Sequence, residues 1–309
     1  MEKKLKNILV PVDFQKPSEQ ALRYAVNMGR QFNLEITILH VIETPGILSE
    51  FFGKSNTEEL VKLTNQIKDK LQKMIDELKA ETSEIKISSR VERGKLHQKI
   101  LSVAEDINAR MIILGENHQG EDASKDLGST VYHVTLKSPV PVLTLKGNIE
   151  KMNDKIIVPL DLTKEMRRKL FSAIVHGLNY GAEIHLVSAL IGGIKMRESR
   201  IYKKLKKAKK TITENGLHCT TKLFPKDDEP PFRKILQYAK DVDGGLILVM
   251  THKEGYTYDN YIGAFAHHII NESTVPVLSL TSAATNLNFS KYLQGFVDPA
   301  GILDKNKIR

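Results

Sequence analysis

Cysteine is almost absent from this chain: Cys219 stands alone among 309 residues. One thiol can neither close an internal disulfide nor supply a multi-cysteine zinc or iron–sulfur site, so a disulfide scaffold and a metal finger are both excluded. A reducing, cytoplasmic setting is the expectation. Long apolar runs are missing as well. The first apolar stretch, Ile8 to Val12, stops at Asp13 and is too short for the core of a signal peptide. The longest uncharged run, Ser273 to Ser290, spans 18 residues, but nine are Ser, Thr or Asn and Pro276 interrupts it, so no membrane span is expected. Several catalytic signatures are also wanting. There is no G-x-S-x-G elbow to present a serine nucleophile, no H-E-x-x-H, no G-x-G-x-x-G and no Walker A loop. The chain has ten histidines, but they show no ligand spacing, and the adjacent His267 and His268 diverge on a helix, so no metal site is expected.

What is present is an ordinary globular composition. A hydrophobic content of 41% over 309 residues suffices for two cores, and the length suggests two domains. The net charge of +9 is unevenly placed. Residues 1–150 carry 21 basic and 21 acidic side chains, and residues 151–309 carry 25 and 16. Most of the excess lies between Lys195 and Lys210, where nine basic residues face Glu198 alone.

The chain repeats itself. Val10-Pro11-Val12-Asp13 recurs as Val158-Pro159-Leu160-Asp161, an offset of 148. Ser138-Pro139-Val140-Pro141-Val142-Leu143 recurs as Ser273-Thr274-Val275-Pro276-Val277-Leu278, an offset of 135, so the second copy has lost 13 residues internally. Domains are accordingly expected at 1–148 and 153–281, with an extension at 282–309. In the first copy, strands are expected at Asn7–Val12, Glu35–Val41, Ile85–Glu92, Met111–Gly115 and Val140–Lys146. Between them fall helices: one capped by Ser18, one with the stripe Leu60, Leu63, Ile67, Leu71, Met74 and Leu78, then Leu96–Asp106 and Ser129–Leu136. The strands are continuous apolar runs, which implies a mainly parallel sheet covered on both faces. Strands alternating with helices then read as α/β: two tandem doubly wound five-stranded sheets with flanking helices. Pro141 and Pro276 place the fifth strands at a sheet border or against a partner, and the two copies are expected to pack through them.

In such a sheet ligands bind beyond the carboxyl ends of the strands, at the switch point, which gathers Asp13, Val41 and the loop after Gly115 around one crevice. That loop, Gly115-Glu116-Asn117-His118-Gln119-Gly120, leads to Gly128-Ser129 at a helix start, a source of backbone N–H groups for phosphate or simply a turn before a helix. The opening Lys6-Asn7-Ile8-Leu9-Val10-Pro11-Val12-Asp13-Phe14, this loop, and the final strand Ser138-Pro139-Val140-Pro141-Val142 together resemble the universal stress protein superfamily, in both copies, over Lys6 to Leu280. The resemblance implies the adenine nucleotide alpha hydrolase-like fold, a stress-response role, and a pair of domains carried in one chain, since single-domain members pair; a further homodimer is also open. The nucleotide-binding branch has glycine, two residues, glycine, nine residues, then glycine and Ser/Thr. Here Gly115, His118 and Gly128-Ser129 occupy those positions, so one glycine of three is replaced. By the same resemblance Pro11, Asp13 and Val41 would line the base and ribose, and Gly115, His118, Gly128, Ser129 and Thr130 the phosphates of ATP or AMP, with magnesium accompanying the nucleotide. The second copy reads Met250, Lys253 and Gly263-Ala264 at these positions. Loss of the serine hydroxyl there removes roughly 1.5–3 kcal/mol, about one to two decades of affinity, so its site is expected to be degraded.

Two functions stay open at this point: a nucleotide-binding regulatory module with at most weak ATP hydrolysis, and a scaffold without nucleotide acting through its surface. Ile201, Leu205, Ala208 and Ile212 recur at helical spacing, so the basic segment reads as a packed helix with a solvated lysine face. Its alternative is a polyanion contact, but Tyr202 is the one aromatic nearby and nucleic acid is not the favoured partner. Cys219 opens an expected strand and reads as buried packing. Beyond Thr281, Leu287, Phe289, Tyr292, Leu293 and Phe296 suggest a short helix at Ser290–Gly295, docked on a domain or a second chain.

Overall fold

The computed structural model describes residues 6–43, 57–81, 84–116, 128–146, 154–160, 166–189, 199–251 and 263–281. His118, Asp161, the joint between the copies and the C-terminal extension lie outside the described residues.

Among the described residues ten strands form one sheet. They are β1 (Asn7–Pro11), β2 (Glu35–Ile42), β3 (Ile87–Arg93), β4 (Ala109–Glu116), β5 (Val142–Lys146), β6 (Lys155–Pro159), β7 (Glu183–Ala189), β8 (Cys219–Phe224), β9 (Leu246–Thr251) and β10 (Val277–Thr281). The order is β3-β2-β1-β4-β5-β10-β9-β6-β7-β8. Every pairing within a half is parallel, as continuous apolar strands require, and the single antiparallel junction joins β5 to β10. The helices are α1 (Lys16–Phe32), α2 (Thr57–Glu81), α3 (Leu96–Asp106), α4 (Ser129–Lys137), α5 (Met166–Tyr180), α6 (Arg200–Glu214), α7 (Pro231–Asp241) and α8 (Ala264–Glu272). Helices α1, α2, α5 and α6 bury their apolar faces on one side of the sheet and α3, α4, α7 and α8 on the other. Each of these two cores runs through both halves. The two expected five-stranded sheets are thus present and fused edge to edge.

The junction is nearly symmetric. Leu143 faces Leu278, with Thr144 opposite Val277 and Val142 opposite Ser279. At the offset of 135 these positions exchange among themselves, so the pairing maps onto itself when the halves are swapped. A row of rings repeats the symmetry on the outer face. His97 stacks on His133 at 4.5 Å, Tyr132 meets His133 and, across the axis, His267, and His268 stacks on Phe232 at 4.2 Å. His267 also meets His268 edge-on. Under the same offset Tyr132 corresponds to His267, His133 to His268 and His97 to Phe232.

Several local expectations need correction. Pro141 and Pro276 precede their strands, and their carbonyls accept from Ile112 and Ile247, so the missing proline N–H costs the ladder nothing. Ser18 does not cap α1; the helix begins at Lys16 with Gln15 as its cap residue, and Ser18 reaches back to Asp13. Of the expected α2 stripe Leu71 and Leu78 are buried, Ile67 and Met74 are partly buried against the core and Leu63 is exposed, while Ile75, outside the stripe, is buried beside them. The α6 stripe is buried at all four expected positions, and Ser199 caps that helix by accepting from the Tyr202 N–H. Cys219 is buried, and desolvation raises its thiol to about 11. No helix of the described residues is long and apolar enough to cross a membrane.

Candidate functional site

The switch point of the first half lies between β1 and β4: the helix that follows β1, α1, packs on one face of the sheet and the helix that follows β4, α4, on the other, so a ligand crevice belongs at the carboxyl ends of these two strands. Pro11 ends β1, and the exposed Asp13 follows it. Asp13 Oδ1 accepts the Gln15 N–H at 2.9 Å and the Ser18 hydroxyl at 2.6 Å, and the Asp13 N–H donates to Ser18 Oγ at 3.2 Å. Both bonds to the carboxylate fall on one oxygen, so Oδ2 has no partner among the described residues. Phe14 adopts φ 63, an uncommon conformation for a bulky residue, and its ring stacks on His40 at 4.8 Å beneath the Lys70 ammonium. His40 Nδ1 lies 2.8 Å from the Val12 carbonyl and donates to it, which ties the ends of β1 and β2 together. Val41 sits on the opposite face of β2 from His40, at the rim of the second core.

Gly115 has a packing reason to be glycine. A Cβ there would stand 2.0 Å from the Pro17 carbonyl oxygen and 2.8 Å from the Ser18 nitrogen, so β4 and the first turn of α1 touch backbone to backbone. Helix α4 starts after Gly128, which has no side-chain cap, and its first turn carries no acidic residue. Its leading N–H groups, including those of Ser129 and Thr130, have no side-chain acceptor among the described residues and carry the positive end of the helix dipole. Among the described residues a Cβ on Gly128 would meet only Glu116 Oε1, at 4.0 Å. The sequence offered no reason to single out Glu116. It forms an ion pair with Lys146 at 3.3 Å; both side chains are largely buried, at 16% and 5% exposure. Glu116 Oε2 is nevertheless without an aligned hydrogen bond. Lys146 Nζ in turn donates to the Asn271 carbonyl on α8, in the other half.

The second half keeps the frame and changes the groups. Ser188 replaces His40 and donates to the Leu160 carbonyl at 2.6 Å. Met250 stands where Gly115 does, so a side chain occupies the position that Gly115 leaves empty for the first turn of α1. Thr251 and Thr281 replace Glu116 and Lys146 and donate to the Thr135 and Ser138 carbonyls of the first half. Buried Lys169 donates to the Pro159 carbonyl at 3.0 Å, which places a cation beneath the end of β6.

A second polar cluster lies at the opposite, amino ends of β7 and β8. Glu183 accepts from Thr220 and approaches His185 and His218, and His185 Nδ1 lies 2.8 Å from the Tyr238 hydroxyl. The Thr220 hydrogen bond lowers the Glu183 pKa, and desolvation lowers that of His185. Among the described residues no group of three or more His, Cys, Asp or Glu is placed to hold a metal ion.

Residues 4–146 match the universal stress protein family. The universal stress protein MJ0577 of Methanocaldococcus jannaschii is 30% identical over 155 residues, covering 46% of this chain and 94% of that relative. MJ0531 of the same organism is 25% identical over 143 residues, 46% of this chain and 82% of its own length. The crystal structure of a universal stress protein from Archaeoglobus fulgidus superposes with a TM-score of 0.70 at 20% identity, covering 90% of this chain and 98% of the other, and so shares the tandem α/β fold. The chain belongs to the universal stress protein family.

Proposed function

We propose that this protein is a cytoplasmic nucleotide-binding regulatory module built of two domains, 1–148 and 153–281, whose first half takes one adenine nucleotide, ATP or AMP, with magnesium accompanying ATP. The observation that carries the reading is the α4 N-terminus, without a side-chain cap, close to the Gly115-Glu116 end of β4, with Asp13 at the end of neighbouring β1. Asp13 Oδ2 is open to a ribose hydroxyl, Val41 and Pro11 offer an apolar wall to the base, and the Ser129 and Thr130 N–H groups with the Ser129 hydroxyl suit a phosphate. His118 would stand beside that phosphate as a ring in place of the family's glycine. The second half, with Met250 and Ala264 in place of glycine and serine, is a poor site. No described side chain is arranged as a general base toward a γ-phosphate, which favours binding over turnover. Calorimetry with Mg-ATP and with AMP is expected to give one site per chain, lost in Gly128→Val. Two equal sites, or binding that survives Gly128→Val unchanged, would refute the reading.

A further inference from the structure

The Glu116–Lys146 pair sits at the place where the proposed ligand's phosphates would lie, and its two charges are not equally placed. Lys146 is the rear member. Its side chain is 5% exposed, and the Asn271 carbonyl of the second half holds its ammonium, so it cannot advance into the crevice. Glu116 is the forward member. Among the described residues its Oε1 is the atom near the position a Gly128 Cβ would take, 4.0 Å away, at the start of α4. A phosphate approaching the α4 N–H groups therefore meets a carboxylate before it meets the lysine. Oε2, the oxygen turned toward Lys146, is buried, and the side chain as a whole is 16% exposed, so the forward end of the pair is screened less than a carboxylate on an open surface. Glu116 also supplies negative charge to a helix start that has no acidic side chain of its own. The second half, whose pair is Thr251 and Thr281, has no such charge.

We infer that Glu116 is an internal anion that makes the first-half site select against phosphate-rich ligands, so that it prefers an adenine nucleoside or nucleoside monophosphate to a triphosphate. This rests on the nucleotide reading above. Binding to the crevice should weaken as phosphates are added, because each brings charge against the buried carboxylate, and Lys146, already paired and tethered, offers little compensation.

The test compares adenosine, AMP and ATP, with EDTA present so that no magnesium offsets the phosphate charge, by calorimetry on the full chain, wild type against Glu116→Gln and Glu116→Thr; the second variant carries the residue found at the equivalent second-half position. Both keep the backbone of β4, and a thermal melt establishes that each is folded. Wild type is expected to bind adenosine or AMP more tightly than ATP. The variants should gain about tenfold or more for ATP, equivalent to about 1.4 kcal/mol, and change less than about twofold for adenosine. Tighter binding of ATP than of adenosine by wild type, with no gain in either variant, would overturn the role of Glu116 and leave the nucleotide site standing. Failure of wild type and both variants to bind any of the three would remove the nucleotide reading and this inference with it.

Discussion

His176 should make this protein acid-sensitive. It lies on α5 in the core that runs through both halves, and its Nδ1 is 2.8 Å from the Ser172 carbonyl, to which it donates. Burial lowers its pKa from 6.5 to about 4, and the nearby Arg110 guanidinium adds to the depression. The neutral ring is the folded form, so its contribution is fully present above 6.5 and is lost as pH falls from 6.5 toward about 4, below which nothing further is lost. At about 1.4 kcal/mol per pH unit, the loss comes to about 2 kcal/mol by pH 5 and about 3 kcal/mol by pH 4. The repeat supplies the control. At the offset of 148 the first half carries Met28, so His176→Met replaces the titrating ring with the equivalent residue. Guanidinium unfolding of both proteins at pH 7.5, 6 and 5 measures the difference directly. Wild type is expected to lose about 2 kcal/mol more than the variant over this range, and other histidines cancel in the comparison. Parallel pH profiles would refute the argument, because they would mean that the ring is solvated or already charged in the folded state.

Gly115→Ala should destabilise the fold by about 2 kcal/mol or more, since the new methyl needs the start of α1 to move, whereas Gly128→Ala should leave unfolding within about 0.5 kcal/mol of wild type. Equal effects would mean that the β4–α1 contact is not as close as described. Charge reversal at Lys203, Lys207 and Lys210 should change stability by less than about 1 kcal/mol each, because the α6 stripe is packed beneath an exposed face. Binding to RNA or anionic vesicles at low salt that weakens with the reversal would show instead that this face holds a polyanion.

Much of the architecture was legible because it follows from local periodicity. The α6 stripe of Ile201, Leu205, Ala208 and Ile212 is a property of one helix, and burial only had to agree with it. The prolines before β5 and β10 announced strands with an unusual neighbour, and the repeat supplied that neighbour. Legibility ended where contacts join distant segments. Ser18 looked like a cap because Pro17 and helical spacing surround it, yet its hydroxyl closes a five-residue loop onto Asp13. Gly115 looked like a ligand glycine, and its tightest constraint comes from Pro17, on another element. Glu116 went unnoticed because its meaning depends on Lys146, thirty residues on, and on Asn271 in the other half. The ring row could not be read at all, since its central contact joins Tyr132 to His267.

Joining two copies through β5 and β10 within one chain also changes how the pair can evolve. Where two identical chains meet on a twofold axis, every substitution strikes both sides at once, so a contact and its mirror image change together. Here each side of the axis is encoded separately. Lys146 can reach the Asn271 carbonyl in one direction while Thr281 reaches the Ser138 carbonyl in the other. A charged pair can enter one crevice while hydroxyls fill its counterpart. The association is independent of concentration, so each half stays attached as support for the other however far its own crevice has changed. The same pairing hides two sheet edges, so among the described residues the open outer edges are those of β3 and β8, where Arg90, Glu92, Arg93 and Lys222 make poor templates for a further strand.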